Sequence, residues 1–196
     1  MKDIVGEAMT TLRWTSQDLE LFPDDSSKRY EIVDGELYVS KQPHWHHQLV
    51  CSQLVLLLHT WSHHTKLGVA NFAPGVIFSD EEDVAPDVVW ISRERLATAL
   101  QSDGKLHTAP DLAIEVLSPG SLNARRDREI KLKLYSRRGV LEYWIVNWQE
   151  RYIEVYRREN AALKLVQNLY ENDILQSPVL PDFVIKVSQI FDNISS

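Results

Sequence analysis

Residues 110–135 read PDLAIEVLSPGSLNARRDREIKLKLY: an apolar run carrying a single carboxylate, a short loop, and then a basic segment. Residues 112–117 are apolar except at Glu115, and such a run between Pro110 and Ser-Pro-Gly is the pattern of a strand covered on both faces. A carboxylate in such a strand must be hydrogen-bonded, paired with a cation or bound to a metal, because an isolated buried charge is too costly to keep. Glu115 therefore predicts a partner. The segment after the loop offers one. At about 100° per residue, Ile130, Leu132, Leu134 and Tyr135 define a broad apolar arc of a helix, with Lys131 in its middle and Lys133 outside it. Two readings of Lys131 stand at this point: an ammonium aimed at the sheet, or a long stem lying along apolar surface with its head in water. Arg128 and Arg138 fall in or near the same arc, so periodicity alone leaves both open.

Working outward, residues 29–40 alternate around Asp34-Gly35, a two-residue hairpin signal, and place Glu31 on the first hairpin strand. A solvent-facing position is the commoner fate of a strand glutamate. Before the hairpin, Thr15 or Ser16 can cap a short helix that Pro23 ends. From His46 to about His64, apolar residues at 49, 50, 54, 57, 58 and 61 recur at helical spacing and predict a core helix, with Gly68 as its stop. Two strands are then expected, at 69–78 and 84–91, separated by the acidic loop Ser-Asp-Glu-Glu-Asp, with Asp87 at the entrance to the second. Acids beside apolar runs on two successive strands are a recurring way to hold a divalent cation, which makes Asp87 and Glu115 a better hypothesis together than either alone. A short helix at 92–100, strands at 142–148, 152–156 and 163–169, and a closing segment at 178–191 complete the expectation.

Composition bounds the function. The chain has 196 residues, 44% of them hydrophobic, with six Trp and seven Tyr, enough for a sizeable core and one domain spanning 1–196, of which 1–11 reads as a poorly ordered tail. Cys51 is the sole cysteine, so an intramolecular disulfide or multi-Cys zinc site is excluded. No apolar stretch has signal-peptide or bilayer-spanning character, and a soluble, cytoplasmic protein with no membrane association is expected. A net charge of −7 argues against broad coating of nucleic acid. Residues 125–138 nevertheless carry a local balance of +5, leaving −12 on the rest, so a basic element on an acidic body could touch phosphates at one place. Ion pairs between that helix and acidic neighbours explain the same charges. Histidines 44, 46, 59 and 63 raise a zinc-hydrolase alternative, weakened by the lack of an HExxH pattern.

The segments RYEIVDGELYV, PHWHH at 43–47, APDVVWIS, APDLAIEVLSPGS and RRDREIKLKLYSRRGVLEYWIV, in this order and spacing, resemble the Uma-two family of restriction-endonuclease-like proteins, within the PD-(D/E)XK nuclease superfamily. The resemblance runs from about residue 12 to 191. It implies an α/β restriction-endonuclease-like core: a central mixed β-sheet flanked by helices, with an N-terminal β-hairpin and a divalent metal, Mg²⁺ with Mn²⁺ as substitute, held at strand ends. By position Glu31, Asp87 and Glu115 resemble the family's acids and metal ligands, and Lys131 its catalytic lysine. The superfamily's usual lysine position, two residues after the second acid, is Leu117 here. His46 matches a family position without a derivable role, and the family's Asp after the YWIV strand is Asn147. The implied activity is that of an endonuclease hydrolysing DNA phosphodiesters, with Arg125, Arg126 and Arg128 on the DNA backbone and a homodimer as the assembly. The alternative from another class is a catalytically silent DNA-associated or protein-interaction module on the same fold.

Overall fold

The computed structural model describes residues 12–23, 27–118, 120, 124–192 and 194. The expected tail, 1–11, lies outside the described residues, as do 24–26 and 121–123 in two expected loops. Thr15 caps the short helix α1 (Ser16–Leu19), and the Asp18 carboxylate accepts the Thr15 N–H at 2.7 Å. The hairpin forms as the sequence predicts: β1 (Lys28–Val33) and β2 (Glu36–Lys41) are joined by Asp34 and Gly35, both at positive φ, +52° and +72°. Helix α2 (Trp45–Thr65) buries His47, Val50, Cys51, Leu54, Leu58 and Ser62, a stripe at three- and four-residue spacing.

The strand expected at 69–78 is two strands. Pro74 cannot donate to a ladder, Ala73 turns at φ +44°, and the chain divides into β3 (Gly68–Phe72) and β4 (Val76–Ser79). Nor is the acidic stretch a loop throughout: β5 (Glu82–Val84) buries Glu82 and Asp83, which pair with Arg137 and Arg138 and with Lys105. The helix stop is Lys66, left-handed at φ +62°. Gly68 serves a different purpose. A Cβ there would come within 2.4 Å of the Trp90 ring and the Ile91 carbonyl, so the glycine permits β3 to lie against β6 (Val88–Ser92).

After β6 come α3 (Arg93–Ala99) and β7 (Leu112–Val116). Helix α4 begins with a π-helical turn, Arg126–Lys131, and continues as an α-helix, Leu132–Arg138. It is followed by β8 (Glu142–Asn147), β9 (Tyr152–Glu159), β10 (Ala162–Tyr170), β11 (Ile174–Ser177), β12 (Leu180–Lys186) and a 3-10 turn, Val187–Phe191. The central sheet has the order β10-β9-β8-β7-β6-β3 and is mixed, because β7 and β8 run parallel across the α4 crossover while the other pairs are antiparallel. A second sheet has the order β2-β1-β5-β4, and β11 pairs with β12.

Alternation along the strands sorts the core onto two faces. Val88, Trp90, Leu112, Ile114, Val116, Trp144 and Val146 join α2 and β12 on one side. Val89, Ile91, Ala113, Tyr143 and Ile145 join Leu134 and Tyr135 of α4 on the other. Glu115, between Ile114 and Val116, takes the α4 side by the same parity, and so does Asp87, just before Val88. The β6–β7 register, Val88 with Ile114 and Val89 with Ala113, continues by one step to set Asp87 opposite Glu115. These two positions fix the site.

Because a side chain at position 68 has no room beside Trp90, Gly68→Ala is expected to lower stability by about 1–3 kcal/mol. Urea unfolding of the two proteins measures it, and a midpoint equal to that of the parent contradicts the close-approach reading.

Candidate active site

Lys131 is 1% exposed, and its ammonium bridges two carboxylates: Nζ lies 2.9 Å from Glu115 Oε1 and 2.8 Å from Glu31 Oε1. The inward reading of its place on the helical wheel is the one the structure adopts, with Leu134 and Tyr135 buried beside it. Tyr135 donates its hydroxyl to the same Glu115 oxygen at 2.8 Å. Glu31 is buried as well; its Oε1 also accepts the Ala85 N–H at 3.0 Å, and its Oε2 lies 3.7 Å from Arg126. Thus α4 ties the end of β7 in one sheet to β1 in the other.

Asp87 is held from three sides. Val116 N–H donates to Oδ2 at 2.9 Å, His47 Nε2 lies 3.1 Å from the same oxygen, and Arg29 donates to Oδ1 at 3.1 Å. The Val116 contact arises because the β6–β7 ladder stops at Val88, so the Asp87 side-chain oxygen takes the amide that the ladder leaves. Asp127, on the π-helical turn one turn before Lys131, is buried, with Oδ1 3.4 Å from Arg126 Nε.

The electrostatics divide these acids. Burial raises every one of them. At Asp87 the opposing hydrogen bond and charge of His47, followed by Lys131 and Arg29, hold the carboxyl well below the usual range. Glu31 is likewise lowered, with Lys131 and Arg126 overcoming burial. At Glu115 burial wins: with Asp87, Asp127 and Glu31 nearby and Lys131 the main opposing charge, its carboxyl is pushed up to about 8. Burial also raises Asp127, to about 6. Like charges directly opposite in a strand pair repel, and Asp87 adds to the burial that raises Glu115.

Asp87, Glu115 and Asp127 line an open cavity of about 650 Å³ together with His47, Arg29 and Arg126. Glu31 and Lys131 stand behind that wall and are not part of it. This is a donor set that fits a hard divalent cation: carboxylate oxygens gathered on the wall of an open cavity. Glu31, expected as a third ligand, lies behind the cavity lining, with its Oε1 accepting from Lys131 and the Ala85 N–H and its Oε2 3.7 Å from Arg126.

Three residues of this site escaped the sequence reading. His47, Cys51, Leu54 and Leu58 share one helical face, so the burial of His47 was implied by the periodicity that predicted α2. Asp127 lies four residues before Lys131, hence on the same face. Arg29 carries no signal, because only the approach of β1 to the residue before β6 gives it Asp87. The ring of His47, the Cys51 thiol and the Asp87 carboxylate have ligand atoms within 4.8 Å of one another, all buried. Cys51 Sγ lies 3.6 Å from His47 Nδ1, and burial, Asp87 and Glu115 push the thiol up. Through the His47 Nε2–Asp87 and Cys51 Sγ–His47 Nδ1 contacts this trio forms a chain of polar contacts that reaches Asp87. His59 and His63 are exposed on α2, away from the cavity lining.

The basic segment is largely spent on protein acids. Arg128 donates to Glu154 at 2.6 Å and to the Tyr152 hydroxyl at 2.8 Å, Arg125 pairs with Glu129, and Arg137 with Asp34 and Glu82. Of Arg125, Arg126 and Arg128, Arg126 alone lines the cavity.

The Uma2 family model, described as "Putative restriction endonuclease", matches residues 16–188. The chain belongs to this family. Its fold is shared with a solved structure described as a putative nuclease belonging to DUF820 from Anabaena variabilis, at a TM-score of 0.72 and 17% identity, over 90% of this chain and 97% of that one. A weaker likeness, to the type IIG restriction endonuclease BpuSI, has a TM-score of 0.41 and 16% identity over 74% of this chain and 15% of that one. No curated protein matches the chain. The Uma2 match and the mixed sheet flanked by helices agree with the resemblance drawn from the motifs. Among the described residues, no helix is long and apolar enough to cross a membrane.

Replacing Lys131 by Met leaves Glu31 and Glu115 buried without their shared cation, so a loss of about 3–5 kcal/mol is expected. Adding Glu115→Gln to that variant should restore part of it. Urea denaturation of both proteins checks this, and a lone Lys131→Met change without effect contradicts the bridging role.

Proposed function

We propose that this Uma2 protein is a Mg²⁺-dependent endonuclease that hydrolyses DNA phosphodiesters. The observation that carries the reading is the facing pair Asp87 and Glu115 on a cavity wall, backed by the buried ammonium of Lys131. Asp87 and Glu115 would hold Mg²⁺, or Mn²⁺ in its place, with Asp127 the nearest further carboxylate on the wall. Such an ion, when bound, supplies a Lewis acid for the phosphoryl oxygens and lowers the pKa of a bound water.

The remaining roles belong to the chain's own groups. His47, Arg29 and Val116 N–H fix the Asp87 carboxylate, and Lys131 with Tyr135 fixes that of Glu115, so neither acid has to reorganise during the reaction. Glu31 anchors Lys131 and completes the site from behind. Lys131 acts through Glu115 and through the positive potential it sends toward the cavity, where charge develops on the phosphorus oxygens. Arg126, on the cavity wall, is placed to meet a phosphate.

Glu115→Gln separates folding from catalysis. The amide oxygen still accepts from Lys131 and Tyr135, and the neutral amide matches the uncharged carboxyl that burial favours at Glu115. The variant should melt at or above the parent's temperature in EDTA and lose Mn²⁺-dependent cleavage of plasmid DNA by about a hundredfold or more. Cleavage at the parental rate overturns the reading. Failure of the intact protein to cut any DNA with Mg²⁺ or Mn²⁺ favours the catalytically silent module.

A further inference from the structure

At the mouth of the cavity the acids give way to cations and an aromatic stack. Lys28 and Lys41 are directly opposite each other at the open end of the β1–β2 hairpin, exposed, and both line the mouth. Two ammonium groups side by side at this edge can meet successive phosphates of a polyanion.

His44 is exposed at the same mouth. One face of its ring is backed by Trp148, with centroids 5.0 Å apart and planes 15° from parallel. Trp148 is itself held in place, donating its indole N–H to the Leu117 carbonyl at 3.0 Å, and His46 meets both rings edge-on. His44 Nδ1 accepts the His46 N–H as the cap of α2, which fixes the ring further. The result is an aromatic platform whose position is set before anything binds.

Within a duplex the faces of bases are covered by their neighbours, so such a platform favours a base that is unpaired. Charge and stacking together are the two elements by which proteins hold single strands.

The geometry points to an unpaired nucleic-acid strand as the occupant of this cavity, its phosphates along Lys28 and Lys41 and one base on the ring of His44. This rests on the nuclease reading and narrows its substrate to single-stranded or locally unpaired nucleic acid. The acids of the cavity floor are then the groups that meet the phosphate beside the stacked base.

The test is fluorescence anisotropy with a short labelled oligothymidylate and a blunt duplex of two complementary strands of equal length, with Ca²⁺ present because the floor is acidic. The single strand is expected to bind about tenfold more tightly. His44→Asn keeps a capping side chain and removes the ring; it should weaken oligothymidylate binding about fivefold or more and leave duplex binding unchanged. Lys28→Gln with Lys41→Gln should weaken binding and flatten its salt dependence. Equal affinity for the two nucleic acids, or a His44→Asn variant that binds like the parent, overturns the proposal. Cleavage with Mn²⁺ is measured separately. Preferential, His44-dependent binding without cleavage supports this proposal while the nuclease reading fails, and cleavage of duplex DNA without single-strand preference shows the reverse.

Discussion

One buried ammonium holds the two larger sheets to a common centre. Lys131 reaches Glu115 at the end of β7 and Glu31 on β1 within 2.9 Å and 2.8 Å, and all three side chains are shielded from water. A buried ion pair is poor evidence of stability in itself, because desolvation consumes most of the attraction. Its consequence here is positional. With one cation serving two acids, helix α4, the hairpin and the central sheet must meet in one arrangement, and that arrangement aims Asp87 and Glu115 into a cavity. The π-helical turn contributes by burying both Asp127 and Lys131 at its two ends, an irregularity often found at functional sites.

The acids of this centre are held unequally. Asp87 and Glu31 are lowered by their cationic partners, whereas burial pushes Glu115 to about 8 and Asp127 to about 6. A protein selected only for stability would remove the last of these carboxylates; keeping them is the kind of local cost that functional sites carry. In the proposed reading a divalent cation offsets that cost.

Much of this could be read from the residues. The apolar run around Glu115 requires a covered strand, Asp34-Gly35 requires a hairpin, and the arc around Lys131 aims it inward; all three are local effects. What eluded the sequence depends on partners far along the chain. The acids at 82 and 83 look like loop residues until Arg137, Arg138 and Lys105 are brought to them. The basic surplus of 125–138 suggests a DNA-facing patch, yet folding gives Arg128 to Glu154 and Arg137 to Asp34. Gly68 resembles a helix stop, but its lack of a side chain serves Trp90. His47 was within reach of the helical pattern and was hidden by more conspicuous histidines at 59 and 63.

The central claim is that Asp87 and Glu115 jointly hold a divalent ion. A crystal soaked in Mn²⁺ and measured for anomalous scattering tests it directly. The account predicts a peak about 2.1 Å from one oxygen of each carboxylate. A peak seated elsewhere, or none at an Mn²⁺ concentration that supports cleavage, would contradict it.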